Sequence, residues 1–483
     1  MYKKNRNIQT SLDDFNQPMG LKLNPDNQWI QKADMIPWDE IEDKYADLFP
    51  SKTGTVAKPL RMALGSLLIQ KEFGFSDRVL VEQLQENPYF QYFIGLPGYQ
   101  MEKPFVPSLL VEFRKRLNAD VLNDINEMII RYNKKDGGNG SSDGSGSGPD
   151  SGKDNNGTLI LDATCAPQNI AFPTDLNLLN EAREKLEAML DELCDEYNFY
   201  RLRTYRKQAR KAYLAVAKSK KPSGKKIRKA IRKQLQYVRR DIGHVHRLTD
   251  ENGCELSDKS KGLFSTIEKL YEQQNYMYQN HTHSVEDRIV SIVQPYVRPI
   301  VRGKAKAPVE FGAKLDLSIE RGLGRIERIS FDSFNESENL QPAIERYFER
   351  NGCYPERVLA DKIYRNRANL QYCREHGIRL SGPSLGRRSS DYDHDLKTQY
   401  IDNADRVEVE RAFSLTKRSY GLGCITTRLA ETTLGSIVLS VIAMNIGKIA
   451  RLSFWPKFIS IFSRYLAMWI RPLEPSADLQ PAY

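Results

Sequence analysis

TLILDATCAPQN (residues 158–169) reads as a short, buried strand that ends in a carboxylate, because Thr158 to Leu161 form an apolar run closed by Asp162. ERVLAD (residues 356–361) repeats the form and ends in Asp361. A third stretch, ADRVEVERAFSLTKRSYG (residues 404–421), reads as a helix. On it Arg406, Glu410, Phe413 and Lys417 fall at i, i+4, i+7 and i+11, which is one face. That face carries an acid between two bases, with an aromatic for packing. A solvated helix seldom needs such a face, whereas a helix that presents a carboxylate to a metal beside a nucleic-acid backbone does. Asp162, Asp361 and Glu410 are therefore expected to form one metal site, to which the rest of the chain brings DNA.

Composition sets the bounds. The chain has 483 residues, enough for two or three domains, and 40% hydrophobic with 28% charged residues is the balance of a soluble globular protein, not a disordered one. Lys+Arg 72 against Asp+Glu 62 gives +10, and the excess is concentrated, which favours a polyanionic partner. Cys165, Cys194, Cys254, Cys353, Cys373 and Cys424 are scattered without a CxxC pair, as expected of reduced thiols and not of a disulfide framework or zinc site. MYKKNRNIQT at the N-terminus has no apolar core of a secretory signal. The stretch Leu434 to Ala450 is interrupted by Asn445 and Lys448 and reads as too short and too polar to span a bilayer, so a buried helix is the better reading. The expectation is a cytoplasmic protein with no membrane partner.

Residues 1–36 read as a polar arm. PLRMALGSLLIQKEFG (59–74) has Pro at its start and Gly at its end, as helices prefer. Ser76 can cap a helix over 77–87, the aromatic segment 87–94 follows, and Ser108 can cap one long helix over 109–133. This helical unit, residues 1–133 with a short Gly-containing break, suits a helix-turn-helix-like DNA reader whose basic cluster is Arg114, Lys115 and Arg116. The plainer reading is a helical bundle with a solvated charged face. Residues 134–157, KKDGGNGSSDGSGSGPDSGKDNNG, read as a flexible linker.

From Leu176 a long acidic amphipathic helix precedes a reversal of charge. Between Arg201 and Arg240 bases recur with no Asp or Glu, Tyr205, Tyr213 and Tyr237 interleave, and Pro222-Ser223-Gly224 turns the chain into a helical hairpin. Arg206, Lys207, Arg210, Lys225, Lys226, Arg228 and Lys229 are expected to hold phosphate backbones without reading sequence. The alternative is a face that packs on the acidic helix. PVEFGAKLDLSIERG (308–322) and GRIERISFDS (324–333) then read as a hairpin about a Gly-Leu-Gly turn. A helix over 340–352, ERVLAD, a helix over 366–377, the strand IRLSGP (378–383), a polar segment 385–402, the acid helix and an apolar helix over 432–452 complete the chain.

With the helical insert set aside, residues 158–450 run βββαβαβαα, the order of an RNase-H-like fold. Its first and fourth strands are neighbours, so both aspartates should emerge at one edge, facing the glutamate. The expected fold class is α+β and mostly helical. It comprises an all-α DNA-binding domain (1–133), the linker (134–157), an RNase-H-like catalytic domain (158–175 plus 300–455), a basic helical insertion (176–299) and a C-terminal tail (456–483). Three carboxylates suit Mg²⁺, a hard cation with oxygen ligands. Two such ions about 4 Å apart serve in-line phosphoryl displacement. Without cations, at least one of three close acids should have a raised pKa.

These features together resemble the DDE transposases of bacterial insertion sequences, in the insertion-sequence-five-like group. The resemblance covers residues 36–446. It is carried by LILDATCAPQNIAFPTDLNLLNEAR around Asp162, IVSIVQPYVRPIVRGK before the hairpin, VLADKIYRNRANLQYCREHGI around Asp361 and RVEVERAFSLTKRSYGL around Glu410. The family's last motif has Arg, three residues, Glu, six residues, Lys, which Arg406, Glu410 and Lys417 match. The tyrosine that often stands three positions before the Arg is Asn403 here. The pattern selects Glu410 over Glu408, which points to the other side of the helix. The resemblance implies that Asp162, Asp361 and Glu410 hold two Mg²⁺ ions, with Mn²⁺ as a substitute. It implies an enzyme that nicks element ends and joins a 3′-hydroxyl to target DNA. Its partners would be double-stranded DNA (terminal inverted repeats and target) and further copies of itself when assembled on DNA. Arg406 and Lys417 would contact DNA near the site.

Other features are weaker. His244-Val-His246 and His281-Thr-His283 lack a carboxylate or cysteine at ligand spacing, the acidic run 391–395 falls in a polar segment, and Cys165 reads as a buried thiol. Two alternatives stand beside the transposase reading: a catalytically inactive or domesticated DNA-binding derivative, and a structure-specific nuclease on the same fold.

Overall fold

The computed structural model describes residues 1–4, 11–49, 53–136, 155–301, 309–382 and 392–469. The chain divides into two compact units. The first comprises Met1–Ser151, Ile319–Arg325 and Val438–Tyr483, and the second Gly152–Ser318 and Ile326–Ile437. The expected linker lies mostly outside the described residues, as do the residues after 469.

The first unit opens with α1 (Gln28–Asp34), α2 (Trp38–Asp47), α3 (Leu60–Phe73), α4 (Asp77–Glu86), α5 (Pro88–Phe93), α6 (Leu109–Arg116) and α7 (Ala119–Asp136). The N-terminal segment is not an arm, because Phe15, Leu23 and Trp29 are buried and Asn16 bridges Gly98. α3 follows Pro59 and ends at Gly74 in the left-handed conformation, φ 67°, which relieves the last carbonyls without a Cβ clash. Ser76 Oγ then accepts from Val79 N at 3.4 Å and starts α4. The single helix expected over 109–133 is two, since Leu117 leaves helical geometry and Asn118 Oδ1 restarts the chain by accepting from Val121 N at 3.0 Å.

The second unit carries β1 (Thr158–Pro167), then α8 (Asp175–Glu196), α9 (Arg206–Ala217), α10 (Gly224–His246) and α11 (Asp258–Gln279). There follow β2 (Arg298–Val301), β3 (Val309–Glu320), β4 (Leu323–Ser330), α12 (Leu340–Asn351), β5 (Arg357–Leu359), α13 (Arg367–Glu375), β6 (Arg379–Leu380) and α14 (Tyr392–Ser419). The last helix, α15 (Ala430–Trp469), is divided between the units, as are β3 and β4 at Ile319–Arg325, and it runs past the tail boundary expected at 456. The sheet order is β2-β3-β1-β5-β6, with β4 also on β3. β1, β5 and β6 are mutually parallel in that order. The short strand β2 was not legible as a strand of its own; it pairs antiparallel with the start of β3.

β1 is longer than expected and Asp162 stands in its middle. The β1–β5 ladder pairs Thr158 with Arg357, Leu159 with Val358 and Ile160 with Leu359, and there β5 ends. β1 continues beside β3, with Gln168 N donating to Phe311 O at 2.8 Å. Gly312 permits this close approach, because a Cβ there would stand 2.0 Å from Ala166 O. One face of the sheet packs Leu159, Leu161, Val358 and Ala360 against Leu340, Ile344 and Tyr347 of α12 and Cys373 of α13. On another cluster Ala166, Ala313 and Leu315 meet Leu422, Ile425 and Ile437. The insert has its own core, in which Leu186, Met189, Leu190 and Leu193 of α8 meet Leu235, Val238 and Val245 of α10 and Phe264, Ile267 and Leu270 of α11.

The segment Ala430–Leu452 is long and apolar enough to cross a membrane by length and composition, so the expectation that it is too short and polar does not hold. Burial of 83% of its apolar window agrees with a core helix. Asn445 does not interrupt it: Asn445 Nδ2 donates to Asn126 Oδ1 and Gly324 O, both at 2.8 Å, and its Oδ1 accepts from Gly324 N at 2.8 Å. A buried carboxamide with all these partners costs little and fixes register.

Candidate active site and basic surface

The β1–β5 register decides where the two aspartates meet. Continued two residues past the last ladder pair, it sets Asp162 opposite Asp361. Alternation puts Leu161 and Ala360 in the core beneath α12 and α13, so both aspartates project to the other side. Because β5 has ended, that edge of β1 is open, and the Asp162 side chain keeps 20% exposure. Asp361 is exposed and caps the 3₁₀ turn Lys362–Tyr364 through a 2.7 Å bond from Lys362 N.

α14 crosses the same region. Its Arg406 reaches Asp162 Oδ2 at 3.9 Å through Nη1 and donates to Glu410 Oε1 at 3.4 Å through Nη2. Arg406 also lines a cleft of about 280 Å³ together with Asp361. One guanidinium thus touches the neighbourhoods of all three acids. Glu410 is exposed and Lys417 half-buried on the same helix. Burial pushes the Asp162 carboxyl up to about 6, the Ala163 amide and Arg406 pull it down, and Glu336 and Asp361 add repulsion. The raised pKa expected of an acid group falls on Asp162, but burial and not the neighbouring acids is its first cause.

Asp162 and Asp361 suit a divalent cation: both offer hard oxygens, and a cation would offset the cost of a half-buried carboxylate. Among the described residues, however, no group of three or more His, Cys, Asp or Glu side chains is gathered as a metal site. Arg406 stands between Asp162 and Glu410, within ion-pair distance of both.

Sequence reading missed the support behind this edge. Asp316 on β3 is fully buried, accepts from Asn339 Nδ2 at 2.7 Å and from Tyr364 Oη at 3.1 Å, and burial pushes it up to about 7. Tyr364 closes the turn that Asp361 caps, so the pair pins that turn to β3. Glu336, near enough to raise Asp162, pairs with Lys314 at 2.8 Å. Alternation in AKLDLSIE sets Asp316 with the polar residues Lys314, Ser318 and Glu320, so nothing in the sequence marked it as buried; β3 is covered on both faces over this stretch.

The expected DNA contacts separate into two groups. Arg114 is paired with Asp77 and donates to Gln70 Oε1 at 2.9 Å, Lys115 meets Glu112 at 3.3 Å, and Arg116 stacks on Phe49 at 5.0 Å. That cluster ties helices of the first unit together. In the insert, Arg206 is bound to Asp191 through two 2.6 Å bonds, Arg210 meets Glu184 at 3.3 Å, and Arg228 donates to Tyr278 O at 3.0 Å. These arginines do pack on the acidic helix or its neighbours. Lys207, Lys225, Lys226 and Lys229 are exposed and have no ion pair among the described residues. On α10, Ala230, Gln234, Val238, Asp241 and Val245 form the buried face, so Lys225, Lys229, Arg232 and Arg239 lie on the opposite one.

The histidine pairs also resolve. His246 does have acid partners, Asp250 at 3.1 Å and Glu268 at 2.7 Å; burial works against its charged form, but these bonds outweigh it and hold its pKa above the usual value. His281 and His283 line a cavity of about 320 Å³ in the insert, and Arg228 reaches His281 Nε2 at 3.0 Å. The acidic run 391–395 is not wholly loop, since α14 begins at Tyr392. Cys165 is buried, as expected.

Residues 358–447, which include Asp361, Arg406, Glu410 and Lys417, match the family model described as Transposase DDE domain. Residues 20–116 match the one described as Transposase domain (DUF772). An uncharacterized protein, ORF8 in the nfe locus of Rhizobium meliloti, is 26% identical over 174 residues, covering 36% of this chain and 78% of that protein. No solved structure matches.

Proposed function

This chain carries the DDE domain and the accompanying transposase domain typical of insertion-sequence transposases, and from that premise we propose that it binds insertion-sequence ends and catalyses metal-dependent cleavage and transfer of DNA strands. The observation that carries the reading is the register of β1 and β5, which sets Asp162 opposite Asp361 beneath the helix of Arg406 and Glu410. The sheet is read as RNase-H-like, supported by β1, β5 and β6 in parallel with β3 on the other side of β1. Asp162, Asp361 and Glu410 would hold Mg²⁺ or Mn²⁺. When bound, such ions activate the attacking hydroxyl and stabilise the leaving oxygen of an in-line displacement.

The chain's own residues supply position and charge. Asp162 and Asp361 present oxygens from a rigid sheet edge, which fixes the reacting phosphate in one place. Arg406 offsets the charge of Asp162 and Glu410, and its guanidinium suits a phosphate oxygen of bound DNA. The exposed lysines of α9 and α10 hold the backbone on either side without reading bases.

Asp162→Ala, Asp361→Ala and Glu410→Ala should each remove strand cleavage, by roughly a thousandfold or more on the scale of lost transition-state charge stabilisation. Binding to element ends should remain within a few-fold in the same variants. Mg²⁺-dependent cleavage that survives in any of the three would remove that residue from the site, and survival in all three would end the assignment. A precut end offered with target DNA separates a transposase, which joins the strands, from a nuclease, which does not.

A further inference from the structure

The cleft beside Asp361 has room for more than an ion, at about 280 Å³, and two carboxamides line it beside its two cations. It is lined by Asp361 and Lys362, by Ser381, and by Gln399, Asn403 and Arg406 of α14. The Ser381 hydroxyl is already spent, accepting from Ala360 N at 3.0 Å and donating to Ala360 O at 3.3 Å. Gln399 and Asn403 are not spent. No hydrogen bond engages either carboxamide among the described residues, although both face the cleft one helical turn apart. A carboxamide offers a donor and an acceptor side by side, whereas a phosphate asks only for donors. The edge of a base asks for both, and Asn or Gln on an adenine edge is the favoured match.

We propose that this cleft seats one nucleobase of the DNA end being cut, read along its edge by Gln399 and Asn403, with adenine preferred. Lys362 and Arg406 hold the phosphate attached to that nucleotide. Lys362 is exposed and has no ion pair among the described residues, so its charge is available. Placed there, the base sets its own phosphate against Asp361, so the recognition of one base and the choice of the scissile bond become a single event. The inference rests on the proposed function, and it adds a specificity-determining pair that the three acids do not supply.

The test uses the full chain with Mg²⁺ or Mn²⁺ and a pool of precut duplexes in which the terminal base is A, C, G or T. Joined products are sequenced. The wild-type protein is expected to favour adenine by roughly tenfold. Gln399→Ala and Asn403→Ala should flatten that profile to within about twofold, while total joining falls much less than in Asp361→Ala. Replacing the terminal adenine by 7-deaza-adenine, which lacks the edge acceptor, should slow the wild type and leave Asn403→Ala indifferent. Both side chains sit on the solvent-open wall of a helix, where alanine is well tolerated, so loss of folding is not expected. An unchanged base profile in both variants overturns the inference, as does a wild type that joins all four ends equally. If the wild type neither cuts nor joins any duplex, it is the proposed function that fails.

Discussion

Asp162 is held by opposing forces, and its ionisation should be visible in the rate. Burial keeps its carboxyl near about 6, well above the usual carboxylate value. Activity that needs the ionised form should therefore rise with pH through about 6 in kcat/KM for strand cleavage, and raising the Mg²⁺ concentration should move this limb to lower pH, since a cation favours the carboxylate. An acid limb at the ordinary carboxylate pKa, indifferent to Mg²⁺, would contradict the placement. Asp316 makes the complementary case for stability. Its folded pKa of about 7 lies above its unfolded value, so the folded state binds more protons in between, and stability falls as pH rises from the carboxylate range through about 7. Asp316→Asn should remove that slope, at a cost of about 1 kcal/mol for one of two hydrogen bonds, because the amide cannot accept from Asn339 and Tyr364 alike. Melting temperatures of both proteins across this pH range decide it.

At the scale of elements, α14 is held to the sheet by an ion network that starts one turn before the site. Asp402, buried, takes two bonds from Arg379 at the start of β6, of 2.5 and 2.8 Å, and a third from Arg357 at the start of β5, at 3.4 Å. Arg357 also donates to Asp405 at 2.7 Å. Asp402→Ala leaves two arginines without their shared acid. Since Arg379 is 44% exposed, solvent takes up part of the loss, and the expected cost is roughly 1–3 kcal/mol in urea unfolding. Cleavage should fall further than this, because Arg406 and Glu410 follow in the next turns; a variant with full activity would show that α14 is placed without the clamp. The elements themselves were legible where local chemistry marks them: the Pro59 and Gly74 ends of α3, the turn at Pro222 to Gly224, and the apolar runs before Asp162 and Asp361. They were misread where a distant partner decides or where a local cap was overlooked. β1 continues past Asp162 because β3 lies beside it, the helix expected from 109 to 133 breaks because Asn118 recaps it, and α14 starts early at Tyr392. The acid helix showed which residues share a face, but not that Arg406 stands between the acids, which is a matter of packing.

For the molecule as a whole, the surplus of +10 is meaningful only where cations remain unpaired. A count of bases along 201–240 treats Arg206 and Lys225 alike, whereas the fold does not. Arg206 spends its fork on Asp191. Lys225, Lys226 and Lys229 are exposed and carry no ion pair among the described residues. If this face binds duplex DNA through its backbone, the dependence of log K on log salt should lose a slope of about 0.9 for each phosphate contact removed. The triple change Lys225→Gln, Lys226→Gln and Lys229→Gln should therefore reduce the slope by about 2 to 3 and weaken binding equally on all sequences. Arg206→Gln should leave the slope nearly unchanged and instead lower the stability of the insert, because Asp191 then loses the partner that holds its carboxyl below the usual range. Binding titrations from about 50 to 200 mM salt, a range over which several phosphate contacts change affinity by orders of magnitude, distinguish the two. A slope that responds to Arg206 and not to the three lysines would place the DNA against the acidic helix, and would return the free face of α10 to solvent.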